Sequence, residues 1–149
     1  MATNSKLNRY QRMGRLASAE ERHAGLALAQ ANQQLEQAKD RLQELHDYAS
    51  SSDEKLYDSG RQTSVNLHNR RLFMGKLQEA IKTQTSVLSQ LGRQRAGLIE
   101  QWRACYKKTR LYEKLQEQES LRLESQDRKT DIKSSDEVAA QQHYQKMRG

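Results

Sequence analysis

The stretch Ala24–Ala49, AGLALAQANQQLEQAKDRLQELHDYA, decides the fold. Within it Ala24, Leu28, Ala31, Leu35, Ala38, Leu42, Leu45 and Ala49 recur at alternating steps of four and three. Nearly four uninterrupted heptads of this kind are the pattern of a helix that buries one narrow seam against another helix. Alanine at every second step lets two backbones approach closely and leaves room for bulkier residues opposite. The seam extends backward, more weakly, through Glu21, Ala17, Gly14, Tyr10 and Leu7.

A second seam answers the first. It runs Leu67, Arg70, Met74, Leu77, Ile81, Gln84, Leu88, Leu91, Arg95, Leu98, Trp102, Cys105, Thr109 and Tyr112. Between the two lies a break around Asp58-Ser59-Gly60, where Gly60 is a natural left-handed helix stop. The first helix therefore ends either near Tyr48, before Ser50-Ser51-Ser52-Asp53, or near Asp58, and the glycine favours Asp58. Ser64 is a suitable cap for the second helix. The fold class is all-α: a long antiparallel two-helix coiled-coil hairpin forming one domain. Its helices are expected at about 5–58 and about 65–133, with a loop at about 59–64.

Pairing Leu45 with Leu77 sets a register in which opposed residue numbers sum to about 122–124. Leu42 then faces Ile81, Leu35 faces Leu88, Ala31 faces Leu91, Ala24 faces Leu98 and Tyr10 faces Tyr112. Small residues meet large ones along much of the seam. The same register exhausts the first helix opposite about residue 117, so the rest of the chain overhangs. Ser134-Ser135-Asp136-Glu137 matches a capping box and suggests a helix restarting after a break. The overhang, including the tail at about 134–149, is expected to be frayed or partly disordered, because Leu121, Leu123, Ile132, Val138 and Tyr144 are too sparse to build a second core.

Composition agrees with a thin structure. Hydrophobic residues make up 34 %, aromatics 5 % and charged residues 30 % of 149 residues, too polar a mixture for a thick core. Proline is absent, which suits very long helices because one mid-helix proline costs about 3 kcal/mol. The single cysteine, Cys105, permits no internal disulfide and fits a reducing compartment. No apolar run approaches a signal sequence or a membrane span, so a cytoplasmic location is expected.

The chemistry available is slight. There is no phosphate-cradling loop, no dinucleotide fingerprint and no metal-ligand spacing, and His23, His46, His68 and His143 stand apart. Cys105 falls on the seam and reads as a small buried hydrophobe. Acid pairs such as Glu20-Glu21 and Glu117/Glu119 lack a pocket to shift their pKa values and read as a solvated face. The reading is of a protein that is not an enzyme and needs no cofactor and no metal.

Two surface features remain. The register gathers Lys6, Arg9, Arg12 and Arg15 beside Arg103, Lys107, Lys108, Arg110 and Lys114 at the open end, with Glu100 and Glu113 the nearby acids. Such a cluster attracts an acidic partner. The net charge of +7 is concentrated accordingly: residues 1–58 carry 8 Lys/Arg against 9 Asp/Glu, and residues 59–149 carry 18 against 10. Nearer the loop, Phe73, Leu77, Ala80 and Gln84 form a stripe, with Leu45 and Tyr48 on the first helix beside it. An exposed aromatic there reads as a docking patch, and a Phe73 that merely caps the hairpin core is the competing reading.

The order and spacing of these residues resemble a known family. Glu36 to Leu42 leading into Leu45-His46-Asp47-Tyr48, then the loop, Phe73, Leu77, Ala80-Ile81, Leu88-Ser89-Gln90, Trp102-Arg103, Leu115-Gln116 and Asp136-Glu137-Val138-Ala139 are similar to the FliJ/YscO stalk family. That family belongs to bacterial flagellar and injectisome type III export. The resemblance covers nearly the whole length. It implies an antiparallel coiled coil like the central shaft of rotary ATPases, located in the cytoplasm and peripherally at the inner membrane at the flagellar base. It implies two partners: a hexameric export ATPase (FliI-like), seated on the basic open end, and the cytoplasmic region of the export gate (FlhA-like). Leu45, Tyr48, Phe73, Leu77 and Ala80 match the family's gate-binding positions, and escort of empty export chaperones is a further implied role. Two rivals stay open on the residues alone. One is a basic coiled coil binding nucleic acid, although aromatic interleaving is scarce. The other is a homodimeric structural coiled coil whose polar seam entries Glu21, Gln84 and Arg95 specify the pairing.

Overall fold

A computed structural model of the chain describes the backbone of residues 2–58 and 64–148 and the side chains of residues 4–52 and 64–148. It contains two helices, α1 (Ala2–Asp58) and α2 (Ser64–Arg148), and the described residues include no strand. Helix α1 passes through Ser50-Ser51-Ser52-Asp53 without interruption, so the later of the two expected ends is the one observed. The expected stop at Gly60 and the loop at about 59–64 lie outside the described residues, apart from Ser64, where α2 begins.

The C-terminal expectation needs correction. No break occurs near residue 133 and no helix restarts at Ser134, because α2 continues to Arg148. Without proline or a helix-breaking glycine in 124–148, propagation adds one hydrogen bond for each residue fixed. All side chains of 124–148 are exposed.

The helices contribute to two compact units. One comprises Met1–Arg22 with Ala104–Gly149, the other His23–Arg103. In the second unit, α1 residues 38, 32 and 25 meet α2 residues 84, 95 and 102, so the two helices run antiparallel. In the first unit, residues 20 and 10 of α1 meet residues 108 and 116 of α2, again antiparallel.

Burial follows the heptads closely. Every α1 position from Leu7 to Ala49 named on the first seam is buried or half-buried. The α2 seam behaves the same way from Arg70 to Tyr112, while Leu67 at its start is exposed. The most deeply buried apolar residues are Ala17, Ala38 and Leu77. Two of the three are alanines because a layer one side chain thick encloses a methyl group far more readily than a leucine. Most larger seam residues keep one edge in water.

Polar residues on the seam find partners inside the chain. The Gln84 amide donates to the Ala38 carbonyl at 3.1 Å, and the Arg95 guanidinium donates to the Asn32 side-chain carbonyl. Buried Thr109 donates its hydroxyl to the Cys105 carbonyl one turn back, at 3.0 Å. Gln116 donates to the Tyr10 carbonyl at 3.2 Å. A buried polar group left unmatched costs about 1–3 kcal/mol, so these bonds remove a penalty more than they add stability. Gln84 meets Ala38 in the register the sequence sets. The side-chain pairs Asn32/Arg95 and Glu20/Lys108 sum to 127 and 128. Long side chains lean toward the N-terminus of their own helix, which in an antiparallel pair brings together residues of higher combined number.

Gly14 marks a close approach. A β-carbon there would collide with the Gln116 amide and come within 3.6 Å of Tyr112, whereas Gly75 and Gly97 have no neighbour within 4 Å of that position. Gly75→Ala and Gly97→Ala should each raise stability by about 1 kcal/mol through helix propensity. Gly14→Ala should gain clearly less, since the displaced Gln116 loses its bond to Tyr10. Thermal unfolding of the three variants checks this, and equal gains at all three positions would contradict the packing described.

Candidate functional site

The nine cations singled out from the sequence divide unevenly. Eight belong to the first unit: Lys6, Arg9, Arg12 and Arg15 on α1, and Lys107, Lys108, Arg110 and Lys114 on α2. Arg103 is the last residue of the second unit, where it bonds Glu100 at 3.1 Å. All nine are exposed, a consequence of their lying off the seam on two heptad-patterned helices.

More acids stand among these cations than Glu100 and Glu113. Lys108 reaches Glu20 across the two helices at 3.7 Å, and Arg110 lies 3.6 Å from Glu113. Arg110 also donates to the Tyr106 hydroxyl at 3.0 Å and lies 5.3 Å from that ring's centre. The hydrogen bond to Tyr106, and secondarily Glu113, holds Arg110 protonated even above its ordinary range. Lys6 sits 5.9 Å from the centre of the Tyr10 ring, a distance at which a cation is attracted to the π face. Arg9, Arg12, Arg15, Lys107 and Lys114 have no described acid within bridging distance, so their charge is directed at solvent.

Glu119, read from the sequence with Glu117 as a solvated acid pair, needs correction. It occupies the step after Gln116 on the α2 seam, and its side chain is only 5 % exposed. Arg122 grips it with two bonds, at 2.7 and 3.1 Å. That hydrogen bonding depresses the Glu119 carboxyl below the usual carboxylate range, desolvation works against the shift, and the charges of Arg122 and Lys6 add to it. The signal was present in the sequence as a 4-3 continuation of the seam through residues 116, 119 and 123, with Arg122 three residues beyond the acid.

The five apolar candidates, Leu45, Tyr48, Phe73, Leu77 and Ala80, all belong to the second unit. They are not equivalent. Tyr48 is 63 % exposed and Phe73 52 % exposed, while Leu45 and Ala80 are half-buried and Leu77 is in the core. Tyr48 lines a shallow open groove with Glu44, Asp47 and Ser51. A second open groove, over Gly14, is lined by Gln11, Arg15, Ser18 and Gln116, where the glycine's missing side chain leaves space. Among the described residues no three His, Cys, Asp or Glu side chains cluster as metal ligands would. No described helix is long and apolar enough to cross a membrane.

The described residues present charged and aromatic side chains beside open grooves on antiparallel helix pairs. A family model described as "Flagellar FliJ protein" matches residues 5–148, nearly the entire length, and the chain belongs to that family. Membership assigns it to flagellar biogenesis as a component of protein export that interacts with the export machinery. Comparison with curated proteins and with solved structures finds no significant match.

The Glu119 arrangement has a testable pH dependence. A carboxyl whose folded-state pKa is lowered contributes stability above its unfolded pKa, and loses it as pH falls through the folded value. Glu119→Gln should therefore lower the melting temperature at neutral pH. The gap from the unsubstituted protein should close as the solution is acidified below the ordinary carboxylate range. A gap independent of pH would show that the ion pair is not its source.

Proposed function

We propose that this FliJ-family chain is a non-enzymatic central-stalk-like element that couples two parts of the flagellar type III export machinery. In this reading the cationic residues of the first unit seat the chain within the hexameric export ATPase, FliI-like, against acidic and carbonyl-lined surfaces. The Tyr48 and Phe73 surface of the second unit docks on the cytoplasmic region of the FlhA-like export gate. The family match over residues 5–148 carries the proposal. It is supported by the segregation of the two residue sets, since eight of nine cations fall in one unit and all five apolar candidates in the other. A single asymmetric stalk meets each subunit of a ring differently and would bias their nucleotide states in turn. The chain would then work in the cytoplasm, at the inner-membrane face of the flagellar base, and escort of export chaperones would be a further use of its exposed helical surface. The antiparallel coiled-coil hairpin is the architecture this role requires, and in it Gln84 and Arg95 have partners within the chain.

Burial separates the roles of Phe73 and Leu77. Leu77→Ala should destabilise the protein by about 2–5 kcal/mol, as large-to-small core changes do. Phe73→Ala should leave helicity and melting unchanged while weakening capture of the gate's cytoplasmic region at least tenfold, a loss of about 1.4 kcal/mol. Gate binding undiminished in a folded Phe73→Ala, Tyr48→Ala variant would refute that contact.

The ATPase contact is tested by charge. Replacing Arg103, Lys107 and Lys108 together by Glu should abolish stimulation of ATP hydrolysis by the export ATPase without loss of helicity. Hydrolysis stimulated to the same extent by the reversed variant would dispose of this role.

A further inference from the structure

The apolar seam of the second unit repeats itself. On α1, Ala24, Ala31 and Ala38 fall seven residues apart, as do Leu28, Leu35 and Leu42. On α2 the seam residues from Leu77 to Trp102 are large throughout, Gln84 and Arg95 included. Sliding one helix along the other by a heptad therefore sets each of these alanines against a large side chain again. Apolar burial alone would hold such registers nearly equal. A slide of seven residues is about 10 Å of travel, and it would carry Tyr48 that far past Phe73. What this unit displays side by side depends on the choice.

Two contacts on one edge break the repeat. Arg95 donates to the Asn32 side-chain carbonyl. Trp102 lies against Gly25, where a β-carbon would stand 3.6 Å from the indole nitrogen. Asn32 with Arg95 and Gly25 with Trp102 both sum to 127, one heptad apart on each helix, so they read the same register twice. A slide in one direction brings Arg95 opposite Lys39, a like charge, with the single carboxylate of Glu36 to serve both. It also brings Trp102 opposite Asn32 in place of a glycine. A slide in the other direction brings Arg95 opposite Gly25, which has no side-chain acceptor, and again takes Trp102 off its glycine. Gln84 does not discriminate, because its partner is a backbone carbonyl and every register supplies one.

We propose that the Asn32–Arg95 and Gly25–Trp102 contacts are a register lock, selecting one alignment of α1 on α2 from a set that the alanine and leucine repeat leaves open. A polar group in a helix seam specifies pairing at a cost in stability. Arg95 fits that pattern. Leucine in its place would bury more apolar area, yet would match any heptad of α1. A guanidinium that must find one particular asparagine gives up burial and fixes position. The lock is independent of which partners the chain meets, and stands or falls with the pairing alone.

Double electron–electron resonance on the full-length protein tests the lock. Cys105→Ser removes the native thiol, and nitroxides go on Gln30→Cys and Gln78→Cys, both exposed positions in the second unit. Excess unlabelled protein keeps the measured distances within one chain. With the seam unchanged, one narrow distance is expected. Asn32→Ala, Arg95→Leu and Trp102→Leu together should leave helicity intact and the melting temperature equal or higher, while adding a second distance displaced by about 10 Å. Transposing the polar partner, Asn32→Lys with Lys39→Asn in the Trp102→Leu background, should lengthen the principal distance by a similar amount. A single unchanged distance in the folded triple variant, or two distances before any seam residue is replaced, would overturn the lock. Should the triple variant lose helicity, the transposed variant decides, and a distance that fails to lengthen there overturns the lock as well.

Discussion

The thinness of a two-helix seam governs most of this structure. A pair of helices has no interior beyond a single line of side chains, so burial is available only to residues at the 4-3 steps. Even there it is complete only for small ones such as Ala17 and Ala38. Hydrophobic stabilisation scales with apolar area removed from water, and half-buried leucines contribute only part of theirs. Length compensates, since α1 and α2 run for 57 and 85 residues. Gln84, Arg95, Thr109, Gln116 and Glu119, polar groups that enter the seam, are each answered by a nearby carbonyl, amide or guanidinium. With so little hydrophobic surplus, even one orphaned amide would be a large fraction of the stability.

The same thinness leaves most side chains of the described residues at the surface, and the grooves described there are shallow and open. One unit presents mainly positive charge, the other an exposed phenylalanine and an exposed tyrosine, the tyrosine beside Glu44 and Asp47. The two surfaces thus differ in chemistry.

Much of this was legible in the sequence. Heptads from Leu7 to Ala49 and from Arg70 to Tyr112 specify the buried positions almost residue by residue, because in a two-helix pair periodicity and burial are nearly the same quantity. The absence of proline indicated long helices. What periodicity cannot report is where a helix ends once it has no partner. Ser134-Ser135-Asp136-Glu137 has the local chemistry of a helix start, yet within a helix already propagating it is simply four more helical residues. Phe73 and Leu77 read alike as one stripe, and only the packed structure separates the exposed ring from the buried leucine. Glu119 reads with Glu117 as a solvated acid, because a charge at a seam position carries no sign of burial until its clamp by Arg122 is seen.

The last stretch of α2 is unlike the rest in how it is held. From residue 124 onward no side chain is shielded, so each turn is secured by its neighbour along the axis and by surface pairs such as Arg128–Glu124. Such a segment opens locally, turn by turn, at little cost per step. Amide exchange along it should accordingly be fast compared with the paired turns before Leu123. A receptor that grips these turns would slow that exchange and make the segment report on its own occupancy.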